Sequence, residues 1–284
     1  MGEIQNIQWF PGHMTKTRRL IEADLKMVDA VVEITDARIP ESSRNPILDE
    51  LLGNKPRIMI MNKCDVADEN ATAAWKRHYE ARGICVIVCD CRSGKGINKF
   101  LPSVKRMLSE LIERRKARGM IGKALRLMVV GIPNVGKSSF INRMANSKKT
   151  KVGDRPGVTR GKQWVSIDKD VELLDMPGIL WPKFEDKDVA QRLAFTGAVK
   201  DEVVDTAALA RSLGELLTKD YAELLKARYK ITCEGDILEE IAKKRGMLIS
   251  GGEPDIERAA AALLDEFRGG KIGRITLDEP PKGA

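Results

Sequence analysis

Residues 131–138 read Gly-Ile-Pro-Asn-Val-Gly-Lys-Ser, which fits the phosphate-loop pattern G-x-x-x-x-G-K-[ST]. The segment follows an apolar run, residues 125–130, and precedes a helical pattern that starts at Lys137. In such a loop the glycines allow backbone N–H groups to surround phosphate oxygens at a helix N-terminus. Lys137 would then reach the β- and γ-phosphates, and the Ser138 hydroxyl would ligate Mg²⁺. The other phosphate-binding residues predicted here are Asn134, Val135, Gly136 and Ser139.

The first two-thirds of the chain alternate short apolar, β-branched runs with amphipathic helical patterns. This alternation is typical of a largely parallel sheet covered on both faces, a doubly wound α/β fold. After Trp181 the patterns are helical only. We therefore predict an α/β domain over residues 1–181 and a small helical domain over residues 182–284. Strands are predicted at 30–35, 57–61, 84–89, 125–130, 164–167 and 171–174. Helices are predicted at 15–27, 71–81, 97–118, 137–145, 188–196, 202–213, 218–227, 237–245 and 255–267.

A second motif, Asn62-Lys63-Cys64-Asp65, follows the apolar strand at 57–61. Its side chains would emerge at the carboxyl end of the sheet, where nucleotides bind. The Asp65 carboxylate can accept hydrogen bonds from both N1–H and the exocyclic amine of guanine, with Asn62 bracing the loop and Lys63 lying over the purine. Adenine has an acceptor in place of the N1 donor, so Asp65 would discriminate against ATP. The two motifs together predict GTP and GDP as ligands.

A third motif, Asp175-Met176-Pro177-Gly178, fits D-x-x-G and follows another apolar run. Asp175 would hold Mg²⁺ through a water molecule. The Gly178 N–H would contact the γ-phosphate only while it is present, which makes the following segment a switch. Thr159 is the candidate for the second hydroxyl on Mg²⁺, and its alternative is a solvated loop threonine.

The sequence carries no sign of export or of a membrane span. No apolar run approaches the roughly 20 residues that cross a bilayer, and the start of the chain has neither a basic flank nor an apolar stretch. The chain has five cysteines, which fits a reducing cytoplasm better than a disulfide framework. We expect a cytoplasmic protein without a membrane partner.

The order of the motifs is permuted relative to that of the usual GTPase, in which the phosphate loop comes first, because the guanine motif at Asn62 precedes the phosphate loop at Gly131. With this order, and with the segments at 8–14, 36–40 and 43–46, the chain resembles the circularly permuted bacterial GTPases of ribosome assembly. The resemblance implies the large (50S) ribosomal subunit and its rRNA as partners, with a C-terminal domain of RNA-binding type. It implies a monomer whose GTP-bound form binds pre-ribosomal particles and whose hydrolysis triggers release, with no role for DNA.

The same resemblance assigns further site residues. It places a fifth nucleotide motif, whose backbone contacts the guanine oxygen, at Asp90-Cys91-Arg92, where Cys91 departs from the usual Ser-Ala-Lys. It implies an activating K⁺ ion near Asn134. It also implies that His13 orients the attacking water, since D-x-x-G is followed by Ile179 rather than by a polar side chain. The residues alone leave two interpretations of His13 open, catalysis and the start of the helix at 15–27.

The net charge of +8 is unevenly distributed, with +11 over residues 1–187 and −3 over residues 188–284. Residues 105–126 include eight basic and two acidic side chains, and residues 143–162 include seven basic and one acidic. Phosphate contacts dominate RNA affinity, so these segments are the candidates for rRNA contact. Solvated helix faces or mobile loops would show the same pattern.

Two other functions stay open at this point. A GTPase signalling switch for a protein partner would be stimulated by protein, and its binding would be insensitive to salt. An RNA-binding scaffold that works without nucleotide would have no use for the phosphate loop and the base motif.

Overall fold

A computed structural model of the chain describes residues 18–19, 21–120, 122–146, 163–178, 186–199 and 204–281. His13, Thr159 and the predicted domain boundary at residue 181 lie outside these ranges.

Six strands form one sheet in the order β3-β2-β1-β4-β6-β5. Neighbouring strands run parallel except β5 and β6, which pair antiparallel. Nearly every residue of β1, β2 and β4 is buried, as is expected of strands covered on both faces. The predicted α/β fold is confirmed, with strand ends within one residue of those predicted. The strands are β1 (Ala30–Asp36), β2 (Arg57–Asn62), β3 (Cys85–Val88), β4 (Leu125–Val130), β5 (Gln163–Asp168) and β6 (Val171–Asp175).

Helices cover both faces of this sheet. On one face the rings of Phe100 and Phe140 meet edge to face at 5.0 Å above a core that includes Ile34 and Val129. On the other face Trp75 and Tyr79 pack in a cluster with methionines of β2. The helices are α1 (described at residues 18–19 and 21–25), α2 (Pro46–Leu52), α3 (Glu69–Ala81), α4 (Phe100–Met107), α5 (Ser109–Ala117) and α6 (Lys137–Asn146).

One helix prediction in this part was wrong, and one helix was missed. The single helix expected at 97–118 is a 3₁₀ turn (Ile97–Lys99) followed by α4 and α5. The break falls at Leu108, whose φ of −101° and ψ of 17° are non-helical and whose side chain is buried, whereas α5 buries no residue. The apolar periodicity continues across this break and so conceals it. Helix α2 was not predicted, although Pro46 occupies the first helical position that proline favours.

The described residues from 186 onward form four helices, three of which were predicted with small shifts in their ends. The two helices expected at 202–213 and 218–227 correspond to two helical stretches of α8, which meet at a kink at Tyr221 (φ −138°, ψ 31°) rather than near residues 214–217. No helix in the described part of the chain is long and apolar enough to span a membrane. The helices are α7 (Lys187–Phe195), α8 (Thr206–Tyr229), α9 (Ile237–Lys244) and α10 (Ile256–Arg268).

After α10 the chain returns to the α/β part through residues 269–278, here called the C-terminal segment. The segment has no regular secondary structure, yet Ile275, Leu277 and Asp278 are buried. The Asp278 carboxylate accepts hydrogen bonds from the Ser42 hydroxyl at 2.6 Å and the Ser42 N–H at 2.8 Å. The Trp75 indole N–H donates to the Asp278 carbonyl at 3.2 Å. These bonds fix the end of the chain against the α/β part.

Candidate nucleotide-binding site

The predicted motifs meet at the carboxyl edge of the sheet. Strand β2 ends at Asn62, which lies opposite Asp36 in the register of β1 and β2. Strand β6 ends at Asp175, which lies opposite Val129 of β4, just before the phosphate loop. The parallel sheet therefore brings the base motif, the phosphate loop and D-x-x-G to the edge where α/β proteins bind ligands.

Two glycines allow the phosphate loop to pass close to the neighbouring strands. Gly136 has a φ of 102°, and a Cβ at this position would overlap the side-chain nitrogen of Asn62. A Cβ at Gly131 would lie 2.6 Å from the Ile34 carbonyl oxygen. Asn134 also adopts the left-handed conformation, with a φ of 57°. Glycine is therefore required at both positions by sterics as well as by the loop pattern.

The Lys137 ammonium lies inside the phosphate loop. Its Nζ donates to the Gly131 carbonyl at 2.9 Å and to the Ile132 carbonyl at 2.8 Å. Burial lowers the pKa of Lys137 to about 8, although the nearby Asp175 carboxylate acts in the opposite direction. A phosphate group bound in the loop would add a negative charge beside the Lys137 ammonium and so stabilise its protonated form.

Asn62 joins three loops of the site. Its Nδ2 donates to the Val135 carbonyl at 2.8 Å, and its Oδ1 accepts from the Cys91 N–H at 3.0 Å. The Cys91 N–H belongs to the motif that was expected to contact the guanine oxygen, and in this structure it is hydrogen-bonded to Asn62. The Asp90 carboxylate accepts from the Arg92 N–H at 2.7 Å and shapes the turn of that loop. Cys64 donates its N–H to the Cys89 carbonyl at 3.2 Å, which joins the base loop to the end of β3.

Sequence reasoning missed a buried ion pair that holds Lys63. The Lys63 Nζ lies 2.9 Å from Asp36 Oδ2, and Arg38 donates to both oxygens of the same carboxylate at 2.9 and 2.7 Å. Burial alone would raise the pKa of Asp36, but Arg38 and Lys63 hold it well below its usual range. Arg38 also donates to the Arg268 carbonyl at 3.3 Å. The position of Asp36 at the end of β1, in register with Asn62, is the signal that could have revealed this pair.

The base and phosphate motifs share a cleft of about 280 Å³. Arg268 and Gly269, at the end of α10, also line this cleft, and no sequence motif pointed to them. The predicted residues that line it are Asn62, Lys63, Asp65, Asp90, Cys91, Asn134, Gly136 and Ser139.

The phosphate end of the site offers oxygen ligands to a metal. Ser138, the second residue of α6, has an exposed side chain, and Asp175 ends β6. A Cβ at Gly178 would lie 3.0 Å from the Lys137 Nζ, so the D-x-x-G backbone lies against the phosphate loop. Within the described ranges no three His, Cys, Asp or Glu side chains form a metal cluster. One hydroxyl and one carboxylate suit Mg²⁺, a hard cation that takes its other ligands from phosphates and water.

The phosphate loop also contacts the helical part of the chain. Asn134 Nδ2 donates to the Gly197 carbonyl at 2.7 Å, just beyond α7. Arg268 Nε donates to the Phe195 carbonyl at 3.0 Å, so the end of α10 and the end of α7 lie together beside the cleft.

The parallel sheet, the phosphate loop and the Asn-Lys-x-Asp motif at one edge define a P-loop protein that binds guanine nucleotides. Residues 126–233 match a family described as "50S ribosome-binding GTPase". The chain belongs to the family of ribosome biogenesis GTPase A. It is 46% identical to that protein from Bacillus licheniformis, over 96% of this chain and 98% of the relative, and 47% identical to that from Priestia megaterium, over 96% and 97%.

Solved structures show the same relationship. The GDP-bound structure of TM YlqF matches with a TM-score of 0.69 and 29% identity, over 92% of this chain and 99% of that one. The GNP-bound YlqF from T. maritima matches with a TM-score of 0.65 and 30% identity, over 93% and 98%. The protein is thus a GTPase of ribosome biogenesis that hydrolyses GTP to GDP and phosphate.

Proposed function

We propose that this GTPase acts on the large (50S) ribosomal subunit in the cytoplasm. Its GTP-bound form binds pre-ribosomal particles as a monomer, and hydrolysis triggers its release. The observation that carries the proposal is a surface of exposed cations on and around α5, on the same chain as the nucleotide site. The description of the matched family, a 50S ribosome-binding GTPase, supports the choice of subunit.

The eight cations of residues 105–126 divide into two groups. Four form ion pairs within the fold: Lys105 with Asp168 at 3.3 Å, Arg115 with Asp29 at 2.6 Å, Lys116 with Glu113 at 2.8 Å and Arg126 with Glu172 at 3.1 Å. The other group is exposed and forms no ion pair within the described part of the chain: Arg106, Arg114, Arg118 and Lys123. We call these four residues the α5 cation group, and they are suited to contact rRNA phosphates. Most of the second basic segment, residues 143–162, lies outside the described ranges.

The roles proposed for the site residues follow from its geometry and from the family. Asp65 recognises guanine. Lys63 lies over the base, and its ammonium is held by the Asp36 carboxylate. Lys137 and the backbone of the phosphate loop bind the β- and γ-phosphates. Ser138, Thr159 and, through water, Asp175 would hold Mg²⁺, which would supply positive charge to the phosphates.

Two further roles concern hydrolysis. His13 orients the attacking water, and K⁺ near Asn134 accelerates turnover relative to Na⁺. The Asn134 amide nitrogen is engaged by Gly197, which leaves its carbonyl oxygen as the group that would face a cation.

The nucleotide site and the helical part act together in this proposal. We propose that the chain divides at residue 181 into the GTPase domain and a helical domain of RNA-binding type. The bond from Asn134 to Gly197 supports a direct link between the phosphate loop and that domain. A change at the γ-phosphate would thereby alter how the helical domain engages the particle.

Co-sedimentation with purified large subunits tests the proposal. We expect binding with a non-hydrolysable GTP analogue, little binding with GDP, and a steep fall in affinity with salt. Replacing the four residues of the α5 cation group by glutamine should weaken binding. It should also make the plot of log affinity against log salt concentration less steep, by a slope of about 4 at most. The control replaces four exposed cations of the α/β part that lie outside residues 105–126, Lys26, Arg77, Arg82 and Lys99. Binding that depends neither on the bound nucleotide nor on the salt concentration would contradict the proposal and favour a GTPase signalling switch for a protein partner.

A further inference from the structure

The C-terminal segment binds the outer side of the base loop, residues 62–68. Arg274 Nε donates to the Asp65 carbonyl at 3.2 Å, and the Ile275 N–H donates to the Val66 carbonyl at 3.1 Å. The Asp68 N–H donates to the Thr276 hydroxyl at 3.1 Å. Three bonds thus hold the loop that carries the Asp65 carboxylate, and none of them is made to the carboxylate itself.

Thr276 is itself fixed from two other directions. Its N–H donates to the Tyr221 hydroxyl at 3.2 Å, and Tyr221 in turn donates to the Thr276 carbonyl at 2.8 Å. Its own hydroxyl donates to the Ala37 carbonyl at 3.3 Å. The next residue, Leu277, donates its N–H to the Arg38 carbonyl at 2.7 Å. The segment is therefore anchored to α8 and to the end of β1 at the point where it holds the base loop.

Packing restricts the loop further. A Cβ at Gly270 would overlap the Val66 side chain, so the C-terminal segment packs closely against this side chain of the base loop. On its inner side the loop is held by two backbone bonds of 3.2 Å, from Cys64 to Cys89 and from Val66 to Lys63. The position of Asp65 consequently depends on the C-terminal segment as well as on the sheet.

We propose that the C-terminal segment is a positioning element for guanine recognition, with Arg274 and Thr276 as its positioning residues. They touch no nucleotide, but they hold the backbone of the base loop so that the Asp65 carboxylate meets both N1–H and the 2-amino group. The proposal rests on the assignment of Asp65 as the residue that reads guanine. It also makes guanine affinity depend on the helical part, because α8 anchors Thr276, and such coupling is reciprocal.

The test compares affinities for GDP and for inosine diphosphate, which lacks the 2-amino group, in Arg274→Ala, Thr276→Val and Thr276→Ser. Arg211→Ala is the matched control, because Arg211 and Arg274 each form one surface ion pair with side chains 45% and 48% exposed. We expect the two disruptive variants to lose roughly tenfold in GDP affinity and to show a smaller preference for GDP over inosine diphosphate. Thr276→Ser keeps the hydroxyl and should behave as the parent, as should Arg211→Ala.

Two results overturn the proposal. One is a GDP affinity within twofold of the parent in both disruptive variants. The other is a loss of GDP affinity with the preference over inosine diphosphate unchanged, which indicates general loosening of the site. Asp65→Asn tests the assignment of Asp65 separately. This variant should prefer xanthosine diphosphate to GDP, because the asparagine amide can donate a hydrogen bond to the 2-carbonyl of xanthine. Failure of that exchange of preference overturns the assignment of Asp65, and the proposal with it.

Discussion

The side-chain amide of Asn62 donates to the carbonyl oxygen of Val135 at 2.8 Å, across the boundary between the base loop and the phosphate loop. Its oxygen accepts from the Cys91 N–H at 3.0 Å. One buried asparagine therefore sets the separation between the part of the cleft that receives a base and the part that receives phosphates.

Asn62→Ala should weaken GDP binding. The substitution leaves the Val135 carbonyl and the Cys91 N–H without their side-chain partner, at about 1–3 kcal/mol for each buried group. We expect GDP affinity to fall by roughly 10- to 100-fold, measured by equilibrium titration. Asn62→Asp keeps the acceptor for Cys91 but removes the donor to Val135, so it should also bind GDP weakly. Parental affinity in both variants would contradict the bridging role.

Gly136→Ala should abolish binding of GTP and GDP. The added Cβ would displace the Asn62 amide, and the φ of 102° at residue 136 is unfavourable for alanine. Gly83→Ala is the matched control, since Gly83 also has a positive φ, 76°, but has open space around its Cβ position. The control should lose about 1 kcal/mol of stability to urea and bind GDP as the parent does. Equal GDP affinities for the two variants would show that the close approach to Asn62 is unimportant.

Lys137 in the nucleotide-free protein should titrate with a pKa of about 8, which is observable by NMR of lysines labelled at the side chain. The folded pKa lies below that of the unfolded chain, so burial of the charged lysine destabilises the fold at pH values below 8. This penalty disappears as the pH rises toward the unfolded pKa, about 10.5. The stability of Lys137→Met relative to the parent should therefore be higher at pH 7 than near pH 11 in the nucleotide-free protein, because only the parent loses the penalty as the pH rises. Bound GDP should move the lysine titration upward, and a pKa near 10.5 without nucleotide would refute the account.

His13→Ala should keep GTP binding and lose most turnover, as expected of a residue that orients water. His78→Ala is a suitable control, because the chain has two histidines and His78 lies on α3 beside the rings of Trp75 and Tyr79. The control should bind and hydrolyse GTP at the parental rate. Full turnover by His13→Ala would remove His13 from the mechanism.

The sheet and the nucleotide motifs were predictable because each motif directly follows an apolar strand. Asn62 and Asp175 end β2 and β6, and Gly131 follows β4. Strand ends in a parallel sheet share one edge, so sequence order alone placed these residues together. The helix break at Leu108 could not be predicted, since the apolar spacing of Val104 and Leu108 continues to Leu111 and Ile112 beyond the break.

The contribution of the C-terminal segment was equally inaccessible to sequence reasoning. Ile275 and Leu277 act there through backbone N–H groups, which every residue except proline possesses. Arg274 and Thr276 belong to no motif, and their contacts become visible only when the end of the chain is seen beside the base loop.

Steady-state GTP turnover, measured with and without purified large ribosomal subunits at several salt concentrations, decides whether this GTPase acts on the large subunit. We expect slow turnover of the protein alone, because the water-orienting element requires ordering by a partner. We expect strong stimulation by large subunits, which declines as salt screens the phosphate contacts. Turnover that large subunits leave unchanged at every salt concentration would contradict the proposed action on the large subunit.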